Sequence, residues 1–260
     1  VPQLESPNFT TLKPFQEIFE TGLPILMYHK IGPRPRRVRI KGLYLSATLL
    51  KKQLAELKAA GFYTPPYAQL PANHNKSRAV NLTFDDGFAN AFKNAMRPLA
   101  DNQFRAIQFL VVARIGKFND WEVQLGDVRE PLMDTAMIRD WLAAGHEIGA
   151  HTLTHPLLTR LTLRDAREEI FASKKKLEDL FGRQVRHFSY PFGDRNDAVR
   201  DLVEDAGYES ACTTDFGMNT TATPPLDLKR VMARHQSISI KSLKARLTKS
   251  KAVRPSRAST

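Results

Sequence analysis

Three short segments of this chain carry side chains whose types and spacing suit metal-assisted hydrolysis. Asp85 and Asp86 are adjacent in Thr83-Phe84-Asp85-Asp86-Gly87, directly after an apolar run. Two neighbouring carboxylates can divide the work of a metal site, one binding the ion and the other staying free as a base. Neighbouring strand residues point to opposite faces, so the loop must let both acids serve one site. His151 and His155 flank Thr152-Leu153-Thr154. Histidines four apart lie on one side of a helical turn, where both imidazoles reach one ion. The spacing matches the HExxH zinc motif, but Thr152 and Leu153 cannot supply its base. The base must come from elsewhere, and Asp85 is the obvious candidate. Taken singly, Asp-Asp-Gly is also an ordinary turn with solvated acids, and the histidines are also ordinary loop residues.

A third segment, Ser189-Tyr190-Pro191-Phe192-Gly193, is an acceptable turn by itself. As part of a site, Tyr190, Pro191 and Phe192 could form a groove wall, and a backbone N–H there could hold a developing oxyanion. His29, in Leu26-Met27-Tyr28-His29, is a candidate general acid, with His235 as its rival. His146 and His187 read as structural, and His74 sits in a polar loop. Trp121 is the better candidate for stacking on a sugar ring; Trp141 lies in a helical pattern and reads as core.

Apolar strand-like runs alternate with helical patterns to hold these residues. Strands are expected over Pro24 to Ile31, Ala79 to Phe84, Phe104 to Ala113, Glu147 to Ala150, Val185 to Tyr190, Ser210 to Thr213 and Arg230 to His235. Ser46 caps a helix ending near Ala60, with Gly61 as its stop. Further helices are expected over Ala89 to Ala100, Thr135 to Ala144, Thr162 to Phe181, Asp197 to Asp205 and Ile240 to Leu247. In the long one, Asp165, Arg167, Glu168, Glu169 and Lys174 to Lys176 mark the wet side. Arg114 to Asp134 shows no clean period and reads as an insertion loop. Repeated strand–helix units imply one α/β domain with a mainly parallel sheet, whose chemistry gathers at the carboxyl ends of strands. The candidate residues fall at such ends.

Taken together and in this order, the segments resemble the polysaccharide deacetylases of the NodB-homology group, the fourth carbohydrate esterase family. Thr83 to Gly87 (TFDDG) is similar to that family's first motif, and His151 to His155 (HTLTH) to its H-[ST]-x-x-H motif. The resemblance runs from about Leu23 to His235. It implies a distorted (β/α) barrel of about seven parallel strands with a groove for a glycan. It also implies Asp86, His151 and His155 as ligands of a divalent metal, usually zinc, with Asp85 as base. The substrate it implies is an N-acetylated carbohydrate. In this chain Ser189 stands where the family pattern carries Arg two residues before the proline, and that Arg helps orient the base. The late Leu-x-His element that carries the family's acid is also unclear. Leu26 to His29 opens the domain instead, as in the branch similar to poly-N-acetylglucosamine deacetylases, which favours His29 over His235.

Bulk properties bound the rest. The chain has 260 residues, 42% of them hydrophobic, enough for one sizeable core. It divides into an arm over 1–22, the deacetylase-like domain over 23–240 and a basic tail over 241–260. No apolar run approaches the roughly 20 residues that span a bilayer. No signal-peptide pattern opens the chain, which favours a cytoplasmic location over export followed by cleavage. Cys212 is the one cysteine, so no internal disulfide forms. The net charge is +12. Its excess is concentrated in the loop of Arg34, Arg36, Arg37, Arg39 and Lys41 and in the tail after Lys241. The tail has the character of a solvated end that could touch an anionic surface. No aromatic residues interleave it, so nucleic acid is not expected as a partner. Two further readings stay open: a hydrolase of another small amide, and a glycan-binding protein without turnover.

Overall fold

The computed structural model describes residues 8–65 and 78–234. In chain order the elements are α1 (Gln16–Phe19), β1 (Ile25–Tyr28), β2 (Lys30–Ile31), β3 (Tyr44–Leu45), α2 (Ala47–Ala59), β4 (Asn81–Phe84), α3 (Ala89–Asp101), β5 (Ile107–Leu110), α4 (Asp120–Gln124), α5 (Thr135–Ala143), β6 (Glu147–Ala150), α6 (Leu163–Phe181), β7 (His187–Ser189), α7 (Asp197–Asp205), β8 (Ser210–Phe216) and β9 (Leu228–Met232). Seven of the strands close a barrel in the order β1-β4-β5-β6-β7-β8-β9, with every pairing parallel and β9 returning to β1. The expected (β/α) barrel is therefore present. Its distortion shows where β8 reaches β9 through a short 3-10 turn, Pro225–Asp227, instead of an α-helix.

Side-chain alternation explains the two faces of the barrel. Leu26, Tyr28, Leu82, Phe84, Leu110, Phe188, Ala211 and Val231 belong to the large core cluster that also contains the helices' apolar faces. Ile25, Ile107, Phe109, Cys212 and Leu228, at positions of opposite parity on the same strands, form a separate small cluster that fills the interior. Space there is tight. A Cβ on Gly149 would meet the Phe109 ring at 2.5 Å and His187 O at 2.7 Å.

The helices start and stop where local chemistry directs. Ser46 accepts from Leu49 N, Asp134 from Met137 N, Thr162 from Asp165 N and Asn196 from Val199 N, each satisfying a free amide of a first turn. Gly182, at φ +62°, ends α6 in the left-handed conformation. Of the segment read as an arm, Phe9, Leu12, Phe15 and Phe19 are buried in the large core cluster. Phe9 also bridges Ala233 beside the last strand.

Three local readings are corrected. The run Pro24 to Ile31 is two strands, because the chain turns at His29 and β2 leaves the barrel to pair with β3. The stretch Arg114 to Asp134 contains the short helix α4, fixed by Asn119, whose Oδ1 accepts from Glu130 N at 2.6 Å. Glu169 is not a solvated residue of α6. It accepts from the amides of Leu153 and Thr154 and from the Thr154 hydroxyl. His74, His235, the expected helix Ile240 to Leu247 and the basic tail lie outside the described residues. Among the described residues, no helix is long and apolar enough to cross a membrane.

Candidate active site

The site forms where β1, β4 and β6 end. Asp85 and Asp86 follow β4 directly, and Asp86 takes φ +72°. That left-handed turn, rare for a residue with a side chain, swings the second carboxylate to the same side as the first. It answers the geometric requirement that consecutive acids otherwise fail. Gly87 continues the turn at φ +78°, with Leu110 Cδ2 only 2.8 Å from where a Cβ would stand. The loop after β6 does the equivalent work for the histidines. It is not the helical turn that the spacing suggests: Thr152 and His155 take φ +62° and +68°, and Thr152 Oγ1 accepts from His155 N at 3.0 Å. Glu169 ties the loop down from α6.

Asp86, His151 and His155 are thereby gathered, all buried, with their ligand atoms within 4.8 Å of one another. Asp86 Oδ1 lies 3.4 Å from His151 Nε2 and 3.3 Å from His155 Nε2. Bonds of about 2.0–2.1 Å to a tetrahedral zinc place ligand atoms roughly 3.3–3.4 Å apart, so both edges fit the ion. Asp86 Oδ1 is buried and makes no hydrogen bond of acceptable geometry among the described residues. His151 Nδ1 lies 2.7 Å from Ser189 O, which can only accept. The Nδ1 proton is therefore fixed, and the Nε2 lone pair faces inward, as a metal ligand requires. His155 is held between rings: Trp121 stacks on it at 4.7 Å and Phe192 meets it edge-on at 4.6 Å.

The electrostatics of the cluster follow from its burial and from the charged groups packed within it. Burial raises the Asp86 pKa, but the imidazoles of His151 and His155 set against its Oδ1 hold it well below the ordinary carboxylate range. Burial lowers the His151 pKa, yet Asp86 and Asp85 bring it above the ordinary imidazole value. His155 is lowered by burial despite Asp86. His29, at the end of β1, is lowered by burial against the pull of Asp86 and Asp85, and its Nε2 lies 3.9 Å from Asp85 Oδ2.

A cavity of about 170 Å³ opens over these groups, lined by His29, Asp85, Asp86, His151, His155, Trp121, Glu122, Phe192 and the basic loop's Ile40, among others. A larger cavity lies at the opposite ends of the strands, around Gly145, Glu147 and Arg186, away from this chemistry.

The family model described as polysaccharide deacetylase matches residues 72–211, more than half of the chain. The chain belongs to the polysaccharide deacetylase family. YxkH of Bacillus subtilis, whose name places it in the same family, is 28% identical over 201 residues, covering 75% of this chain and 65% of the relative. A chitooligosaccharide deacetylase of Sinorhizobium fredii is 29% identical over 140 residues, covering 53% of this chain and 58% of the relative. The chain thus spans less than two thirds of either relative's length. A solved polysaccharide deacetylase from Bacillus cereus superimposes with a TM-score of 0.69 at 27% identity, over 86% of this chain and 68% of that one. The IcaB structure from Ammonifex degensii, 21% identical, shares the fold at TM-score 0.70, over 87% and 96% of the two chains.

This deacetylase-family site contains a residue that motif reading missed. Arg230 on β9 is fully buried and donates to Asp85 Oδ1 and Oδ2, both at 2.7 Å, to Thr83 Oγ1 at 3.1 Å and to Ser189 Oγ at 3.1 Å. The guanidinium thus reaches the very side chain that replaces the expected Arg of the third motif. Burial raises the Asp85 pKa, and the charge and hydrogen bonds of Arg230 outweigh it, leaving the carboxyl below its ordinary value. One signal was available: Arg230 shares its parity on the strand with the apolar Leu228, whereas the other charge, Lys229, falls on the opposite, exposed side.

Two expected wall residues are placed differently. Tyr190 is fully buried, its hydroxyl donates to Leu226 O at 3.1 Å, and its amide donates to Cys212 O. Pro191 is buried and does not line the cavity. Phe192, 49% exposed at φ +60°, is the aromatic rim. No backbone hydrogen bond of its amide occurs among the described residues. His146 and His187 are buried away from the site, as expected, and Trp141 is core.

Proposed function

We propose that this chain is a metal-dependent hydrolase that removes N-acetyl groups from a polysaccharide or amino sugar. One observation carries the reading: in a deacetylase-family barrel, three ligand atoms converge while an ionised carboxylate, Asp85, stays beside them on its own guanidinium. Mere glycan binding has no use for that spare base.

Asp86, His151 and His155 would hold the cation, and zinc suits one carboxylate oxygen and two imidazoles. When bound, the ion supplies Lewis acidity to the acetyl carbonyl and lowers the pKa of a water. The remaining work belongs to the chain. Asp85 takes a proton from the attacking water, and Arg230 keeps its carboxylate ionised and aimed. As the amide carbon becomes tetrahedral, the Phe192 N–H would serve as the donor to the oxyanion, since the Tyr190 amide is committed to Cys212 O. His29 gives a proton to the departing sugar amine. Each proton-transfer role is worth roughly 10²–10⁴-fold in rate. Phe192 and Trp121 supply the apolar walls against which a sugar face can rest.

The test is acetate release from defined N-acetylated glycans and from small acetamides, with chelator and with zinc added back. Zinc-dependent release from the glycans supports the reading. Release confined to small amides, or none at all, overturns it.

A further inference from the structure

Glu122 is a buried acid on the catalytic cavity wall that the hydrolysis above does not use. It sits on α4, 3% exposed, and lines the cavity beside Trp121. Its Oε2 accepts from Lys30 Nζ and from Asn119 Nδ2. Lys30 is itself fully buried, with its ammonium over the rings of Tyr44, at 4.9 Å, and Phe88, at 4.6 Å. Asn119 is fixed in turn, donating to Val128 O at 3.0 Å and accepting from Glu130 N. Every hydrogen bond to the Glu122 side chain falls on Oε2, and Oε1 has no partner among the described residues.

A buried ion pair seldom adds stability, because desolvating two charges costs about what their attraction returns. Apolar side chains would close this wall as well. The pair does something they cannot: it locks one carboxylate rigidly at the cavity, with one oxygen occupied and one left over.

We propose that Glu122 selects the sugar, with Oε1 accepting a hydroxyl of a neutral N-acetylhexosamine and turning away an amino sugar that carries a carboxylate there. The inference rests on the deacetylase reading and narrows its substrate class. A hydroxyl donating to a fixed carboxylate makes a charge-assisted bond, stronger than a neutral one. A substrate carboxylate at the same place meets a like charge in a confined site. Lys30 cannot relieve it, being held by Oε2 and enclosed by two rings. Such rejection is how a site discriminates between sugars of similar shape.

The experiment compares an N-acetylglucosamine tetramer with the same tetramer carrying O-carboxymethyl groups. Two readouts are taken: kcat/KM for acetate release with zinc, and Kd by calorimetry on metal-free protein. Both should favour the neutral tetramer at least tenfold. Asp85 and Asp86 also repel an acid, so the assignment to Glu122 comes from variants. Lys30→Met with Glu122→Gln removes both charges and should narrow the preference below threefold. Lys30→Glu with Glu122→Lys keeps an ion pair and should reverse it. Equal handling of the two tetramers by the wild type, or an unchanged preference in a folded variant, overturns the proposal. If no glycan releases acetate while calorimetry keeps this order and the variants shift it, the selection stands and the deacetylase reading falls.

Discussion

Arg230 grips Asp85 through two parallel hydrogen bonds, 2.7 Å each, although 145 residues separate them in the chain. The geometry is the bidentate fork that guanidinium and carboxylate make best. It orients the proposed base and lowers its pKa. Arg230→Met is expected to lower kcat/KM about 10²-fold or more. Because Asp85 acts deprotonated and Arg230 lowers its pKa, the acid limb of the pH–rate profile should move to higher pH. Restoring a guanidinium from the other side, Ser189→Arg in the Arg230→Met background, should recover part of the rate and return the limb. A limb that stays in place would reduce Arg230 to a structural ion pair.

The two acids of the Asp85-Asp86 pair should separate cleanly on mutation. Asp85→Asn is expected to keep one bound metal per chain and lose most turnover, roughly 10²–10⁴-fold. His151→Ala is expected to lose metal and turnover together, since it removes a ligand whose other nitrogen is already fixed by Ser189 O. Elemental analysis beside acetate release distinguishes them. Full activity in either variant contradicts the roles.

His29 is proposed as the acid and His235 as a bystander. His29→Gln should slow turnover by about 10²-fold or more with little change in metal content. His235→Ala should leave the rate intact. The reverse pattern would exchange the assignments.

The turn after β7 separates a buried tyrosine from a phenylalanine on the cavity rim. Tyr190→Phe removes the hydrogen bond to Leu226 O. It should cost about 1 kcal/mol of stability and leave kcat and KM unchanged. Phe192→Ala, at the exposed rim, should raise KM severalfold while leaving stability nearly unaltered. Denaturant melts and initial rates on both variants decide it.

Stability should fall with mild acid for a reason remote from catalysis. Burial pushes the pKa of His187 down to about 3 and that of His146 down to about 4. Both are neutral when folded and titrate near 6.5 when unfolded. The unfolded chain therefore binds more protons below pH 6.5, and stability is lost as pH falls from there towards about 4 for His146 and about 3 for His187. The combined loss should reach a few kcal/mol by chemical denaturation. A His187→Gln variant should show a flatter profile across that window; an unchanged slope would exclude His187 as a source.

Much of this was legible in the sequence where one local signal sufficed. Thr162 and Gly182 bracket α6 because a capping hydroxyl and a left-handed stop act within a turn of themselves. The apolar run before Asp85 marked β4, and strand-end chemistry in a parallel barrel followed from it. What stayed hidden depends on backbone angles or on distant partners. Nothing local announces that Asp86 and His155 adopt positive φ, yet those angles bring the candidate ligands together. The five residues of α4 are too few to show a helical period, so Glu122 passed as loop. Arg230 meets Ser189 and Asp85 only once β9 closes the barrel beside β1.

The most direct measurement is anomalous diffraction at the zinc absorption edge from crystals grown with zinc. One peak should lie about 2.0–2.2 Å from Asp86 Oδ1, His151 Nε2 and His155 Nε2 together, with the Asp85 oxygens still on Arg230. No peak among those three atoms, or Asp85 drawn off Arg230 to become a ligand, would contradict the proposed division of labour.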